Sequence, residues 1–247
     1  MIPLFSSLLL ETFSLCNRRC TTCIRNSDPD RKAWEPWFVP NELPMETIVS
    51  ILQQAFDLGF RGEVSLIANN EPLLDKRLPE IVRLVKEMGL IPEVFSNGDF
   101  LTKELAAKLD GVLNHFGIAL YDKKTRESRK QWISTLFSKT LVSFSHGHVI
   151  NHFQREMPNP IDAPCSDLLA RCIINHRGDA NLCCEDGIGR FNLGNIFNMS
   201  LSDLWFSEKR KVLFEILSKP GGRKFHPYCA ICPRMENMES IEEVEHT

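Results

Sequence analysis

No run of apolar residues in this sequence is long enough to cross a bilayer, which excludes a transmembrane helix. The first residues carry no basic flank and no small-residue cleavage site, so no secretory signal is expected. Neither sign of charge dominates: 29 Lys and Arg against 32 Asp and Glu leave a net charge of -3. That balance gives no reason to expect nucleic acid as a partner. Without an export signal, the nine cysteines belong in a reducing compartment, expected to be the cytoplasm. There they are ligands, catalysts or core residues rather than disulfides, and their odd number leaves one over in any pairing scheme. The 247 residues, 43% hydrophobic and 25% charged, suffice for one large soluble domain or a large and a small one.

The cysteines fall into two groups. Cys16, Cys20 and Cys23 lie in one tight loop, spaced C-x3-C-x2-C, after an apolar stretch over 8–15 that reads as a buried strand. Thiolates are soft ligands suited to iron–sulfur clusters and to zinc. Three of them can grip three corners of a cubane cluster and leave one iron open to a small molecule. A zinc site usually pairs its C-x2-4-C with a second His or Cys pair close by, and none follows here. The second group is Cys165, Cys183, Cys229 and Cys232, with Gly178 at C-x12-G-x4-C and then C-x2-C. Four thiols complete the coordination of a cluster and leave no iron open; a structural zinc module is the alternative. Cys172 and Cys184 read as buried or neighbouring thiols outside either set.

Between the groups, strand and helix patterns alternate every 25 to 35 residues, which fits a parallel α/β barrel. Strands are expected over 63–67, 91–95, 113–120 and 140–145. Helices are expected over 45–58, 78–88, 102–109 and 125–139. The polar, Pro-rich stretch 24–44 reads as a loop, either a lid or ordinary packing for its tryptophans. Residues 146–164 lack a regular pattern and hold His146, His148, His152 and Arg155. Of these, His152 and Arg155 are the candidate base or substrate contacts. A β-hairpin is expected around Gly178 and a helix over 202–217.

The C-x3-C-x2-C loop after a first strand resembles the radical S-adenosylmethionine (radical SAM) superfamily. The resemblance implies a partial (β/α)6 barrel over 1–150. It implies a [4Fe–4S] cluster on Cys16, Cys20 and Cys23 whose open iron binds the amino and carboxylate groups of SAM. It further implies cleavage of SAM to a 5′-deoxyadenosyl radical. Family members usually carry Gly-Gly-Glu-Pro after strand two, where this chain has Asn69-Asn70-Glu71-Pro72. The SAM contacts implied are Asn70, Glu71, Ser96, Asn97 and, beside adenine, Thr22. The second cysteine group, with Leu193-Gly194-Asn195-Ile196, resembles the SPASM/twitch extension, implied over 151–247 as a small α+β domain. No cysteine follows Cys232, which favours the shorter twitch form with one auxiliary [4Fe–4S] cluster.

The compact layout is similar to family members that oxidise aminocyclitols in antibiotic biosynthesis. A two-electron oxidation of a sugar- or cyclitol-like alcohol to a ketone is therefore expected, with the auxiliary cluster as electron acceptor. An external one-electron donor such as flavodoxin or ferredoxin is the implied partner. Modification of a ribosomal peptide is the alternative. Many such enzymes carry an N-terminal leader-binding domain, and fifteen residues before Cys16 leave no room for one.

Overall fold

The computed structural model describes residues 2–21, 23–146, 162–165, 167–230 and 232. The chain runs β1 (Ser7–Leu10), α1 (Ile24–Ser27), α2 (Met45–Asp57), β2 (Glu63–Ser65), α3 (Leu78–Glu87), β3 (Ile91–Ser96), α4 (Lys103–Leu109), β4 (His115–Ala119), α5 (Arg126–Ser134) and β5 (Leu141–Ser145). There follow α6 (Asp167–Ala170), β6 (Arg171–Ile174), β7 (Ala180–Asn181), α7 (Leu201–Trp205), α8 (Glu208–Leu217) and α9 (Pro227–Ala230). Seven strands form one sheet in the order β5-β4-β3-β2-β1-β6-β7. All neighbours are parallel except β6 and β7, the antiparallel hairpin around Gly178. Gly178 takes φ +79, a left-handed angle that glycine reaches without strain.

The helices follow from the spacing of apolar residues. Ile48, Ile51, Leu52 and Ala55 make the buried stripe of α2. Leu78, Ile81, Val82 and Val85 do the same for α3. Thr102 starts α4, its hydroxyl accepting from the amide of Leu105. Parallel neighbours need crossover helices, which explains the strand–helix rhythm.

Four features differ from expectation. The first strand stops at Leu10, because the polar residues Glu11, Thr12 and Ser14 are buried in loop hydrogen bonds beyond it. The expected helix over 202–217 is two helices, broken at Phe206–Ser207. Ser200 caps the first by accepting from Asp203 N, and Ser207 caps the second by accepting from Arg210 N. The stretch 24–44 contains α1 and a 3-10 turn over Lys32–Phe38. Trp34 and Trp37 are fully buried there, so the tryptophans are core rather than lid. Last, the sheet continues past residue 150: β6 lies directly beside β1, pairing Ser7 to Leu10 with Arg171 to Ile174. The apolar core is correspondingly continuous, with Phe5 edge-on to Trp205 at 5.1 Å.

Along β3, β4 and β5 alternate residues face a cavity. Phe95, Gly117, Ala119, Ser143 and Ser145 line it, and the small size of the last four keeps it open. A Cβ on Gly117 would run into the Phe95 ring. Gly117→Ala is therefore expected to destabilise the protein by about 1–3 kcal/mol through overpacking. Urea unfolding measures this, and an unchanged midpoint would show that Phe95 has room to move.

Candidate active site

Strands β3, β4 and β5, with the loops after β1 and β2, enclose a cavity of about 570 Å³, with Cys16, Cys20 and Cys23 in its wall. In the cysteine loop, Cys23 N donates to Cys20 O and Asn26 Nδ2 to the same carbonyl. A clamp fixes the loop against the end of β3. Arg18 donates to Asp99 through Nε at 2.7 Å and Nη2 at 2.6 Å, Asn17 donates to Asp99 at 2.7 Å, and Asn97 Nδ2 donates to Asn17 at 2.8 Å. Asn97 Nδ2 also stands 4.0 Å from the Cys16 sulfur.

Glu71 ties two of these loops together. Its carboxylate accepts from Ser96 Oγ at 2.6 Å, Asn97 N at 2.8 Å and Leu73 N at 3.0 Å. Burial raises its pKa, against the pull of those donors. The structure thus brings Glu71, Ser96 and Asn97 together beside Cys16. Asn70 joins them in the cavity wall; its Oδ1 accepts from Ala68 N, while its buried Nδ2 has no partner among the described residues. Asn69 Nδ2 is likewise buried and unpartnered there. An unsatisfied buried donor costs about 1–3 kcal/mol. The Asn69 amide packs against Gly187, whereas a spare donor on Asn70 in the cavity wall fits an acceptor such as the carboxylate of an amino-acid-like ligand. Thr22, His148, His152 and Arg155 lie outside the described residues; His146 is exposed at the end of β5.

Sequence reasoning missed Arg25. It is nearly fully buried, and its guanidinium donates to the carbonyls of Asn69, Ser14 and Trp37. Burial lowers its pKa, while Cys16 and Cys23 close by favour its charge. A buried cation beside three cysteines fits a negatively charged cluster there. Burial pushes the Cys23 thiol up to about 11 and raises Cys16 and Cys20 as well, so metal must displace protons on binding. Among the described residues, no three His, Cys, Asp or Glu side chains converge on a position for one ion. Ligands of a single tetrahedral zinc sit about 2.3 Å from it and so crowd together.

The second site is a small, mostly apolar cavity lined by Cys165, Cys183, Cys229 and Cys232, with Leu168, Leu182, Leu217 and Tyr228 around them. Backbone bonds place three of them: Cys165 N donates to Leu217 O at 2.8 Å and Cys232 N to Cys229 O at 3.2 Å. Asp186 fastens the Cys183 turn by accepting from the amides of Leu182, Arg190 and Phe191. Burial pushes Asp186 up to about 6 and Cys229 up to about 12. Arg223 lines the same cavity, almost fully buried, with Nε and Nη1 unpartnered among the described residues. Four thiols with a buried cation at their side fit a second, fully ligated anionic cluster. Cys172 is instead core, its thiol pushed up to about 12 by burial, and Cys184 receives Arg171 Nη1 at 3.8 Å.

Side chains connect the two sites. Asp28, just after α1, accepts from Trp34 Nε1 at 2.8 Å and from Arg190. The Arg190 guanidinium lies 4.7 Å from the centre of the Tyr228 ring, next to Cys229. Glu11, at the end of β1, accepts from Trp37 Nε1, Asn69 N and His176 Nδ1, joining the cysteine side of the barrel to the β6–β7 hairpin.

A barrel-type parallel sheet carrying a three-cysteine loop after its first strand, with a four-cysteine extension, defines an iron–sulfur enzyme of the radical SAM class. The family model of the radical SAM superfamily matches residues 10–122, and that of the SPASM iron–sulfur cluster-binding domain matches residues 165–233. The chain belongs to this superfamily, and its cofactors are SAM and iron–sulfur clusters. It is 27% identical over 246 residues to an S-adenosyl-L-methionine-dependent 2-deoxy-scyllo-inosamine dehydrogenase of Niallia circulans, covering 94% of each chain. It resembles a crystal structure of BtrN in complex with AdoMet and 2-DOIA, with TM-score 0.78, 25% identity and 94% of both chains covered. A structure of anSMEcpe with bound AdoMet matches at TM-score 0.62 and 13% identity, over 92% of this chain and 84% of that one, a likeness of fold.

Proposed function

We propose that this protein is a radical SAM dehydrogenase that oxidises a secondary alcohol of a small sugar- or cyclitol-like substrate to a ketone. The observation that carries the reading is the pairing of two cysteine sites on one continuous core, one open to a 570 Å³ cavity and one enclosed by four thiols. When loaded, the open site supplies the electron that splits SAM into methionine and a 5′-deoxyadenosyl radical, and the enclosed site accepts one electron. Cys16, Cys20 and Cys23 are the ligands of the first; Cys165, Cys183, Cys229 and Cys232 hold the second. Asn70 offers its free amide to the SAM carboxylate, while Glu71, Ser96 and Asn97 fix the pocket around it. The similarity to the 2-deoxy-scyllo-inosamine dehydrogenase over 94% of both chains makes an aminocyclitol the first substrate to test.

The barrel takes residues 1–150 and the auxiliary unit 151–247, although one sheet crosses that division. A flavodoxin- or ferredoxin-like protein provides the starting electron. The cytoplasm suits both clusters and nine reduced thiols. Among the described residues, no helix is long and apolar enough to cross a membrane.

Anaerobic reconstitution tests the reading. The protein should turn brown with about eight irons per chain, four per cluster. With SAM, a low-potential reductant and 2-deoxy-scyllo-inosamine, it should form ketone and 5′-deoxyadenosine in equal amounts. A colourless protein holding one divalent ion would overturn it.

A further inference from the structure

Beside the same cavity, four adjacent strands place polar side chains in one row, the last two of them in the cavity wall. Ser65 on β2, Glu93 on β3 and His115 on β4 are register partners, and Ser143 on β5 completes the line. Ser65 Oγ donates to Glu93 Oε2 at 3.0 Å. Glu93 Oε1 lies 3.6 Å from His115 Nδ1, and His115 Nε2 shares a proton with Ser143 Oγ at 2.7 Å. The Phe95 ring stands edge-on to the imidazole at 5.2 Å and holds its plane. His115 and Ser143 both line the cavity that contains the three cysteines.

We infer that this row accepts the hydroxyl proton of the substrate, with Ser143 and His115 as catalytic residues and Glu93 as their positioning residue. The inference rests on the dehydrogenase reading and adds its missing base. Oxidation of an alcohol removes a hydrogen atom from carbon, a proton from oxygen and one further electron. The hydrogen atom joins the 5′-deoxyadenosyl radical. The hydroxyl proton passes to Ser143 Oγ as the serine proton passes to His115 Nε2. The resulting imidazolium faces the Glu93 carboxylate. The last electron goes to a one-electron acceptor of the iron–sulfur class, and the C–O bond becomes a carbonyl.

Other titratable groups in the described cavity wall are committed elsewhere. Cys16, Cys20 and Cys23 are reserved for metal, and Arg18 and Arg25 have no lone pair to offer. Glu71 already accepts three donors, and burial pushes Tyr121 up to about 12. Imidazole is the side chain whose ordinary range spans neutrality.

The test uses reconstituted enzyme with SAM and 2-deoxy-scyllo-inosamine deuterated at its carbinol carbons. His115→Gln keeps a hydrogen bond to Ser143 but takes no proton. It should still transfer deuterium to 5′-deoxyadenosine, while ketone per 5′-deoxyadenosine falls about 100-fold, the scale of a lost general base. Residual ketone from His115→Gln should climb with pH as hydroxide takes over the role of the missing base. Ser143→Ala, which removes only a hydroxyl, should show the same split if His115→Gln fails to load iron. Three results overturn the relay: wild-type ketone yields in both variants, loss of deuterium transfer together with ketone, or the same defect in His152→Gln instead. A wild-type enzyme that cleaves SAM yet makes no ketone overturns the dehydrogenase reading itself, and the relay with it.

Discussion

Alanine at Cys16, Cys20 or Cys23 should abolish 5′-deoxyadenosine formation. Each thiol lines the large cavity, and under the proposed function each is one of three ligands that leave a position open. Removing an outer partner at a metal site costs roughly 10–100-fold; removing a ligand from a set with none to spare should exceed about 1000-fold. The three thiols sit on a loop anchored by the Arg18–Asp99 clamp rather than by their own packing, so the fold should survive. Chromatographic assay of 5′-deoxyadenosine with a chemical reductant measures the effect, and thermal melting confirms the fold. Normal SAM cleavage by all three variants would refute the assignment. Cys172→Ala is the contrast: that thiol is buried in the core, so the change should lower stability yet leave iron and cleavage intact.

The second large effect concerns Cys229. Cys229→Ala breaks the set of four thiols around the smaller cavity but touches nothing in the larger one. About four irons should remain, the content of one cubane. SAM should still be cleaved when substrate is present, while ketone falls below detection because the final electron has no acceptor. The substrate radical would then be quenched by hydrogen return or by the reductant. Full ketone yield in this variant would remove the electron-accepting role from the extension.

The two cysteine groups were legible because chemistry and spacing coincide locally: three thiols in one loop, then C-x2-C. Gly178 as a hairpin turn was legible for the same reason. Contacts that depend on which strands become neighbours were not. His115 reads as one polar residue in an apolar strand, and only strand order places it between Glu93 and Ser143. Arg25 reads as a surface cation after the third cysteine, because its acceptors are backbone carbonyls and carry no side-chain signature. The break between α7 and α8 was written in two capping serines, Ser200 and Ser207, yet the apolar period ran across it.

Strand β1 has β2 on one flank and β6 on the other, so the cysteine loop springs from a strand that both halves of the polypeptide grip. A fragment severed near residue 150 would leave a raw hydrogen-bonding edge next to that loop, prone to clump with its own kind. Radical generation and electron disposal are thus inseparable as parts. Neither half can be borrowed alone, and any swap of the tail must bring its own matching sixth strand.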